Sequence, residues 1–288
     1  MDKFFWYTRS MKKKSIMKQS QAKKRDNAMT NKILMGLIAL VLGLLFLEIL
    51  IVHSKNEQQK NASNQVQTAR IMANGDLLYH DGLYMSALQA DGSYDFTENF
   101  TYVKPWLKQA DLVLGDFEGT INPDYPLSGY PLFNAPQSVT AAIKDAGYDV
   151  MDLAHNHILD SGLEGAFTTS DAFKKVGIDP IGVYEKPVRD KAPLLIKNVN
   201  GIKVAILSYA YGYNGLESNL TDKEVADHLS NLDEKRMKAE IKRAEKEADV
   251  TVIMPQMGVE YRLEPTDEQV KLYHKMIDWG ADIIFGGH

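Results

Sequence analysis

The sequence predicts an α/β domain whose helices cover its sheets, preceded by one membrane-spanning helix. Three observations predict it. From residue 69 onward, apolar runs short enough for strands alternate with stretches of helical period. An Asn-Gly pair splits the longest of those runs, and a twenty-residue apolar block stands near the N-terminus.

That block, Ile33 to Val52, reads "ILMGLIALVLGLLFLEILIV" and carries one charge, Glu48. Its length matches a bilayer core of about 30 Å. Ten Lys or Arg residues lie in the first 32 positions and none lies between Lys32 and Lys55. The positive-inside rule therefore puts the N-terminus in the cytoplasm and the main domain outside the cell. A cleaved signal peptide has a shorter apolar region ending at small residues, and "EILIVHSK" offers no such cleavage site. The chain accordingly divides into a basic cytoplasmic segment (1–32), a single membrane-spanning helix (33–52), a polar Gln- and Asn-rich linker (53–68) and an extracellular domain (69–288).

Within the domain, strands are expected at "RIMANGD", "DLVLGD", "YDVMDLAHNH", "IDPIGVY", "PLLIKNVNGIKVAILSYA", "DVTVIMPQ" and "DIIFGGH". Helices are expected near residues 99–109, 137–146, 162–176, 233–248 and 266–279. In the last two, Met237, Ile241 and Ala244, and then Val270, Tyr273, Met276 and Ile277, recur at the spacing of a core-facing stripe. Asn200-Gly201 tolerates positive φ at both positions and so predicts a tight hairpin. A hairpin makes at least one sheet mixed rather than purely parallel.

Beyond residue 52 there are 23 basic against 35 acidic residues, which argues against a nucleic-acid surface. No Cys is present, so disulfides and thiolate-bound zinc are both excluded. Any metal would be held by oxygen and imidazole.

Residues of that kind gather where strands end. "MANGD" supplies Asp76, "LVLGDFEGT" supplies Asp116 and Glu118, "DLAHNHILD" supplies His155, Asn156, His157 and Asp160, and "IIFGGH" supplies His288. The carboxyl ends of strands are where open α/β sheets bind ligands. Carboxylates, an amide carbonyl and imidazoles suit a divalent ion such as Mn, Mg, Zn or Fe, and two such ions can clamp a phosphoryl transfer. Gly75, Gly115, Gly286 and Gly287 stand beside these residues, where a bare backbone can turn sharply or approach an anion.

The blocks "NGDLLYHDG", "DLVLGDFEGT", "AHNHILDSGLEGAFTTSDAFKKVGIDPIGVY" and "MPQMGVEYRLEPTDEQVKLYHKMIDWGADIIFGGH" resemble, in order and spacing, those of the bacterial capsule synthesis protein CapA family, also called PgsA. The resemblance covers residues 69–288. It implies kinship with calcineurin-like metallophosphoesterases, hence a layered α/β/β/α sandwich with a dinuclear metal site at the strand ends. By position it implies metal ligands at Asp76, Glu118 and Asn156, with Asp116 beside them. His157 would face substrate, and Asp160 would either orient its loop or take part in chemistry. His155 stands where relatives often have Asn, and is a candidate substrate contact. Gln256 stands where the family usually has His and would be a weaker ligand. Glu260 and Tyr261 match an "EY" pair that would contact substrate or brace the loop. His288 matches the first His of a "GHPH"-like block. The His expected two residues after Asp76 is Leu78 here, and His80 has a different spacing.

Since His288 ends the chain inside that block, the sandwich is expected to be incomplete at its C-terminus, with strands missing from the second sheet. The functional expectation is a membrane-anchored accessory protein for synthesis or export of an anionic capsule polymer of the poly-γ-glutamate type. Its partners would be membrane subunits of a polymer synthase or exporter and the polymer itself. The alternatives are a metal-dependent hydrolase of phosphoester or polymer amide bonds, and a non-catalytic interaction subunit or inactive truncated copy.

Overall fold

The computed structural model describes residues 34–55 and 66–288, together with the single positions 25, 29 and 32. They form two units, one ending at Val66 and one running from Gln67 to His288. In the first, helix α1 (Leu34–Lys55) has 22 residues, a mean hydropathy of 2.8 and no burial along its length. By length and composition it can cross a membrane. Most of the expected basic segment 1–32 and of the linker 53–68 lies outside the described residues.

The second unit runs β1 (Ile71–Asp76), α2 (Asp81–Ser86), α3 (Lys104–Leu107), β2 (Leu112–Asp116), α4 (Val139–Ala146), β3 (Val150–Asp152), α5 (Gly162–Lys175), β4 (Asp179–Ile181), β5 (Leu195–Val199), β6 (Ile202–Ala210), α6 (Asp222–His228), α7 (Glu234–Glu247), β7 (Val250–Gln256), α8 (Asp267–Trp279) and β8 (Ile283–Ile284). One sheet, in the order β1-β2-β3-β4, is parallel throughout. The other, β5-β6-β7-β8, has one antiparallel pair, β5 with β6, and is otherwise parallel. That pair is the expected hairpin: Asn200 and Gly201 have φ of 53° and 91°, the left-handed values a two-residue primed turn requires.

Strand periodicity assigns side chains to layers. From β2, Leu112 and Leu114 join Val150, Val204, Ile206, Val252 and Met254 between the two sheets, while Val113 faces the opposite way. On the outer face of the second sheet, Ile253 and Tyr209 pack against Met237, Ile241 and Ala244 of α7 and Leu272 and Met276 of α8. On the outer face of the first, Ile143 of α4 and Phe173 of α5 pack against Met151. The order of layers is thus α/β/β/α. Each buried Leu, Ile or Met in these seams contributes roughly 1.5–3 kcal/mol.

One device recurs where a helix hands over to a parallel strand. The triplets Gly147-Tyr148-Asp149, Gly177-Ile178-Asp179 and Gly280-Ala281-Asp282 each begin with a glycine at positive φ (116°, 78° and 118°) that ends the helix. The middle residue is buried. The aspartate N–H then donates to the neighbouring strand, to Val113, Asp149 and Thr251 carbonyls respectively. In the first and third, the carboxylate returns the bond, accepting Val113 N–H at 3.0 Å and Thr251 N–H at 2.8 Å. Each triplet therefore fixes the register of the strand it opens.

Three expectations about elements need correction. The helix expected over 99–109 is a 3₁₀ turn (Thr97–Phe100) followed by the four-residue α3. Pro105 supplies no N–H and its ring opposes the carbonyl four residues back, so one continuous helix cannot form. Helix α2 was not expected, nor was α6, although Thr221 and Glu224 form a capping box that starts it.

Candidate functional site

Three adjacent parallel strands each end in aspartate. Asp76 pairs in register with Asp116, and Asp116 with Asp152. Parallel strands lie about 4.8 Å apart, so three carboxylates stand in a row along one sheet edge. Asp152 was not among the expected site residues. Its signal was present in "DVMD", a third apolar run ending in Asp after "IMANGD" and "LVLGD".

Glu118, just beyond β2, adds a fourth acid. Burial is the main reason its carboxyl is pushed up to about 9, with Asp76 alongside reinforcing the shift. Burial also raises Asp152 to about 8, although Ala154 N–H donates to its Oδ1 at 2.7 Å. Asp116 is 4% exposed and is raised well above the usual carboxylate range, by burial and then by Asp152, Asp76 and Glu118. Its Oδ1 is buried without a hydrogen-bond partner. Beside the row lies a cavity of about 310 Å³, lined in part by Asp116, Asp152, Gln256 and Gly287. The Gly287 backbone passes close by: a Cβ there would stand 3.4 Å from Asp116 Oδ2, in ordinary van der Waals contact. Gly115 has another reason to be glycine: a Cβ there would lie 2.8 Å from Tyr148 and Met151.

The loop after β3 brings the second group. His157 Nδ1 lies 2.7 Å from Asp160 Oδ2, and its Nε2 lies 3.9 Å from Glu118 Oε1. Asp160 Oδ2 also accepts Phe133 N–H at 2.6 Å, and the Phe133 ring stands edge-on to His157 with centroids 4.7 Å apart. Asp160 thus fixes the imidazole and its aromatic neighbour together. Asn214, which sequence reasoning missed, has its amide nitrogen 3.4 Å from the His157 ring and accepts from Asn156 Nδ2 at 3.1 Å. Its φ of 55° is one that Asn tolerates.

The other expected positions have contacts of their own. His155, expected to touch substrate, is 0% exposed; its Nδ1 accepts His157 N–H at 3.2 Å, which makes it a brace for the loop. Gln256 and Asn156, expected as metal ligands, bond to each other: Asn156 N–H donates to Gln256 Oε1 at 2.8 Å and Gln256 Nε2 donates to Asn156 Oδ1 at 3.0 Å. Tyr261 is fully exposed at a φ of 62° and points to solvent, not to the acids. Glu260 is exposed too, yet its charge contributes to raising Glu118. The His288 ring packs against Tyr211, with centroids 5.0 Å apart.

Among the described residues, no three His, Asp or Glu side chains stand ready to grip an ion. The donor chemistry nonetheless suits a hard divalent cation, because buried carboxylates held close to one another need a compensating charge and Asp116 Oδ1 has no other partner.

Residues 70–288 match the profile of the family described as bacterial capsule synthesis protein PGA_cap. The chain belongs to this family. Among its relatives is a capsule biosynthesis protein CapA of Bacillus anthracis, 32% identical over 197 residues, covering 66% of this chain and 47% of that one. Another is the PGA biosynthesis protein CapA of Bacillus subtilis strain 168, 27% identical over 268 residues, 92% of this chain and 68% of that one. The PGA_cap chain described here therefore spans about half the length of the Bacillus anthracis relative. A crystal structure from Staphylococcus aureus, assigned as a 5′-nucleotidase and solved with alpha-ketoglutarate, superposes with a TM-score of 0.51 at 15% identity, covering 76% of this chain and 45% of that one. That likeness places the two-sheet sandwich in the metallophosphoesterase-like fold.

Proposed function

We propose that this PGA_cap chain is a membrane-anchored, extracellular accessory protein in the synthesis or export of an anionic capsule polymer of the poly-γ-glutamate type. The family match across residues 70–288 carries this reading. Helix α1 and the basic residues before it support a single-pass anchor with the N-terminus in the cytoplasm. The partners are membrane subunits of the polymer synthase or exporter. Since the domain and polymer are both acidic, cations mediate any contact between them. Deleting the gene and restoring it in trans tests the reading. Loss and recovery of surface polymer is the expected result, and unchanged polymer in the deletion strain overturns it.

A second reading, hydrolysis of a phosphoester or amide bond, is favoured by one observation: the Asp76–Asp116–Asp152 row stands beside a His–Asp pair. Asp76, Asp116, Glu118 and Asp152 would hold a divalent cation. When bound, it supplies Lewis-acid polarisation and a water of lowered pKa. Asp160 holds His157 through Nδ1, which leaves Nε2 directed to the side of Glu118 for proton transfer to or from a substrate oxygen or nitrogen. His157→Ala and Glu118→Gln separate the readings. Loss of polymer with normal protein levels supports chemistry at the site, whereas full complementation by both variants leaves an interaction subunit.

A further inference from the structure

We propose that the outward face of the turn around α3, formed by Tyr102, Val103 and Trp106, docks on the surface of the anionic bilayer to which the chain is anchored, and so holds the candidate site pointed away from the membrane. The proposal rests on the anchoring read above.

Tyr102 is 88% exposed, Val103 46% and Trp106 64%. Helical hydrogen bonds, including Trp106 N–H to Val103 carbonyl at 2.9 Å, bring the three onto one side of the turn. Phe100 and Leu107, on the flank of the turn next to Val103, are buried. Three neighbouring exposed apolar side chains, two of them aromatic, make an unusual water-facing surface, whereas Trp and Tyr are favoured at the headgroup level of a bilayer. Lys104, partly exposed beside its partner Asp145, and Lys108, exposed, flank the patch with the charge that anionic headgroups attract.

Chain connectivity chooses the occupant. Arg70, one residue before β1, donates its N–H to Asp111 Oδ2 at 2.8 Å and its Nη1 to the Gln109 carbonyl at 3.4 Å. The C-terminal end of α3 is therefore tied to the point where the chain enters the domain. Residues 56–69 separate Arg70 from the end of α1, and a stretch of this length reaches at most about 50 Å. A tether of that length leaves the patch within reach of the bilayer. Asp76 lies at the other end of β1, roughly 20 Å further on at about 3.3 Å per residue. An anionic surface would repel the acidic end that carries Asp76, Asp116 and Asp152, and would accept the Lys-flanked end.

The test uses the full chain with Trp6→Phe and Trp279→Phe, which leaves Trp106 as the sole tryptophan. It is reconstituted into phosphatidylcholine and phosphatidylglycerol vesicles, with or without brominated acyl chains, and its fluorescence is recorded. The expected result is a blue-shifted emission, most of which is lost with brominated lipid and restored when Tyr102→Ser and Val103→Ser weaken docking. A chain that floats with the vesicles after carbonate washing, yet emits like water-exposed tryptophan and ignores the bromine, overturns docking while leaving the anchor intact. A chain that no longer floats overturns anchoring, and docking with it. A blue shift that is insensitive to bromine but grows with protein density assigns the patch to a second copy and also overturns the proposal.

Discussion

Asn156 and Gln256, one hundred positions apart, exchange two hydrogen bonds and so join the loop after β3 in one sheet to the end of β7 in the other. Both side chains are buried, and the bonded atoms include the Asn156 backbone N–H. Gln256→Ala removes the partner of a buried N–H and of a buried amide oxygen. It is expected to cost about 1–3 kcal/mol. Urea unfolding of the variant checks this, and an unchanged midpoint would show that the two sheets are held at this end by other contacts.

Arg189 supplies a second tie, in the second sheet's helical layer. Its Nε and Nη2 bond Glu240 Oε1 and Oε2 at 3.0 and 2.8 Å, its Nη1 donates to the Leu229 carbonyl at 3.0 Å, and its guanidinium lies 5.6 Å from the Tyr209 ring centroid. The Arg189 side chain is 1% exposed. Removing one member of such a pair leaves the other charge without a partner. Arg189→Ala is expected to lower stability by about 3–5 kcal/mol, and Arg189→Met with Glu240→Met together by much less. Equal losses in the single and double variants would contradict the assignment of the cost to an uncompensated charge.

Most of the fold was legible because local signals agreed. Short apolar runs gave the strands, Asn200-Gly201 gave the hairpin, and the stripe of Met237, Ile241 and Ala244 gave α7, whereas Val270 and Ile277 of the stripe expected in α8 are exposed and Met276 carries its burial. The Gly-x-Asp triplets at 147, 177 and 280 were equally visible but went unread, since their meaning lies in bonds to a neighbouring strand. The site was legible only in part. Asp76, Asp116 and Glu118 follow from strand ends, whereas Asp152 required recognising that three parallel strands would finish level. For His155, expected to touch substrate, and Gln256, expected as a ligand, residue type suggested a role, whereas the burial and hydrogen-bond partners that tie both into the loop after β3 are visible only in the structure. Asn214 comes from a turn whose proximity to His157 only the tertiary structure creates.

The triplets offer a direct check. Gly280 has a φ of 118° and a Cβ there would meet the Glu245 side chain at 3.0 Å, so Gly280→Ala combines strain with crowding. It should cost at least about 1 kcal/mol, and Asp282→Ala, which frees Thr251 N–H, a similar amount. Hydrogen exchange is the sharper measurement: protection at Thr251 should fall in Asp282→Ala while Val113, served by Asp149, is unaffected. Loss of protection at both sites would mean that the two sheets open as one unit.

The carboxylate row predicts an inverted pH dependence. In the folded chain Glu118 titrates at about 9 and Asp152 at about 8, against ordinary values of 4.5 and 3.8. Between the unfolded and folded values the folded state holds protons that the unfolded state has lost. Stability must then fall as pH rises, opposite to an aspartate paired with a cation. In chelator, the melting temperature is therefore expected to drop between about pH 5 and about pH 8. Asp116→Asn, which removes one of the mutually repelling charges, should flatten the drop. A divalent cation that binds the row replaces those protons, so added Mn²⁺ should raise the melting temperature most at the alkaline end. Its effect should shrink in Asp116→Asn. If chelated protein is most stable near pH 8 and indifferent to Mn²⁺, the row carries no buried charge that needs compensating, and a metal-dependent role for this site is excluded.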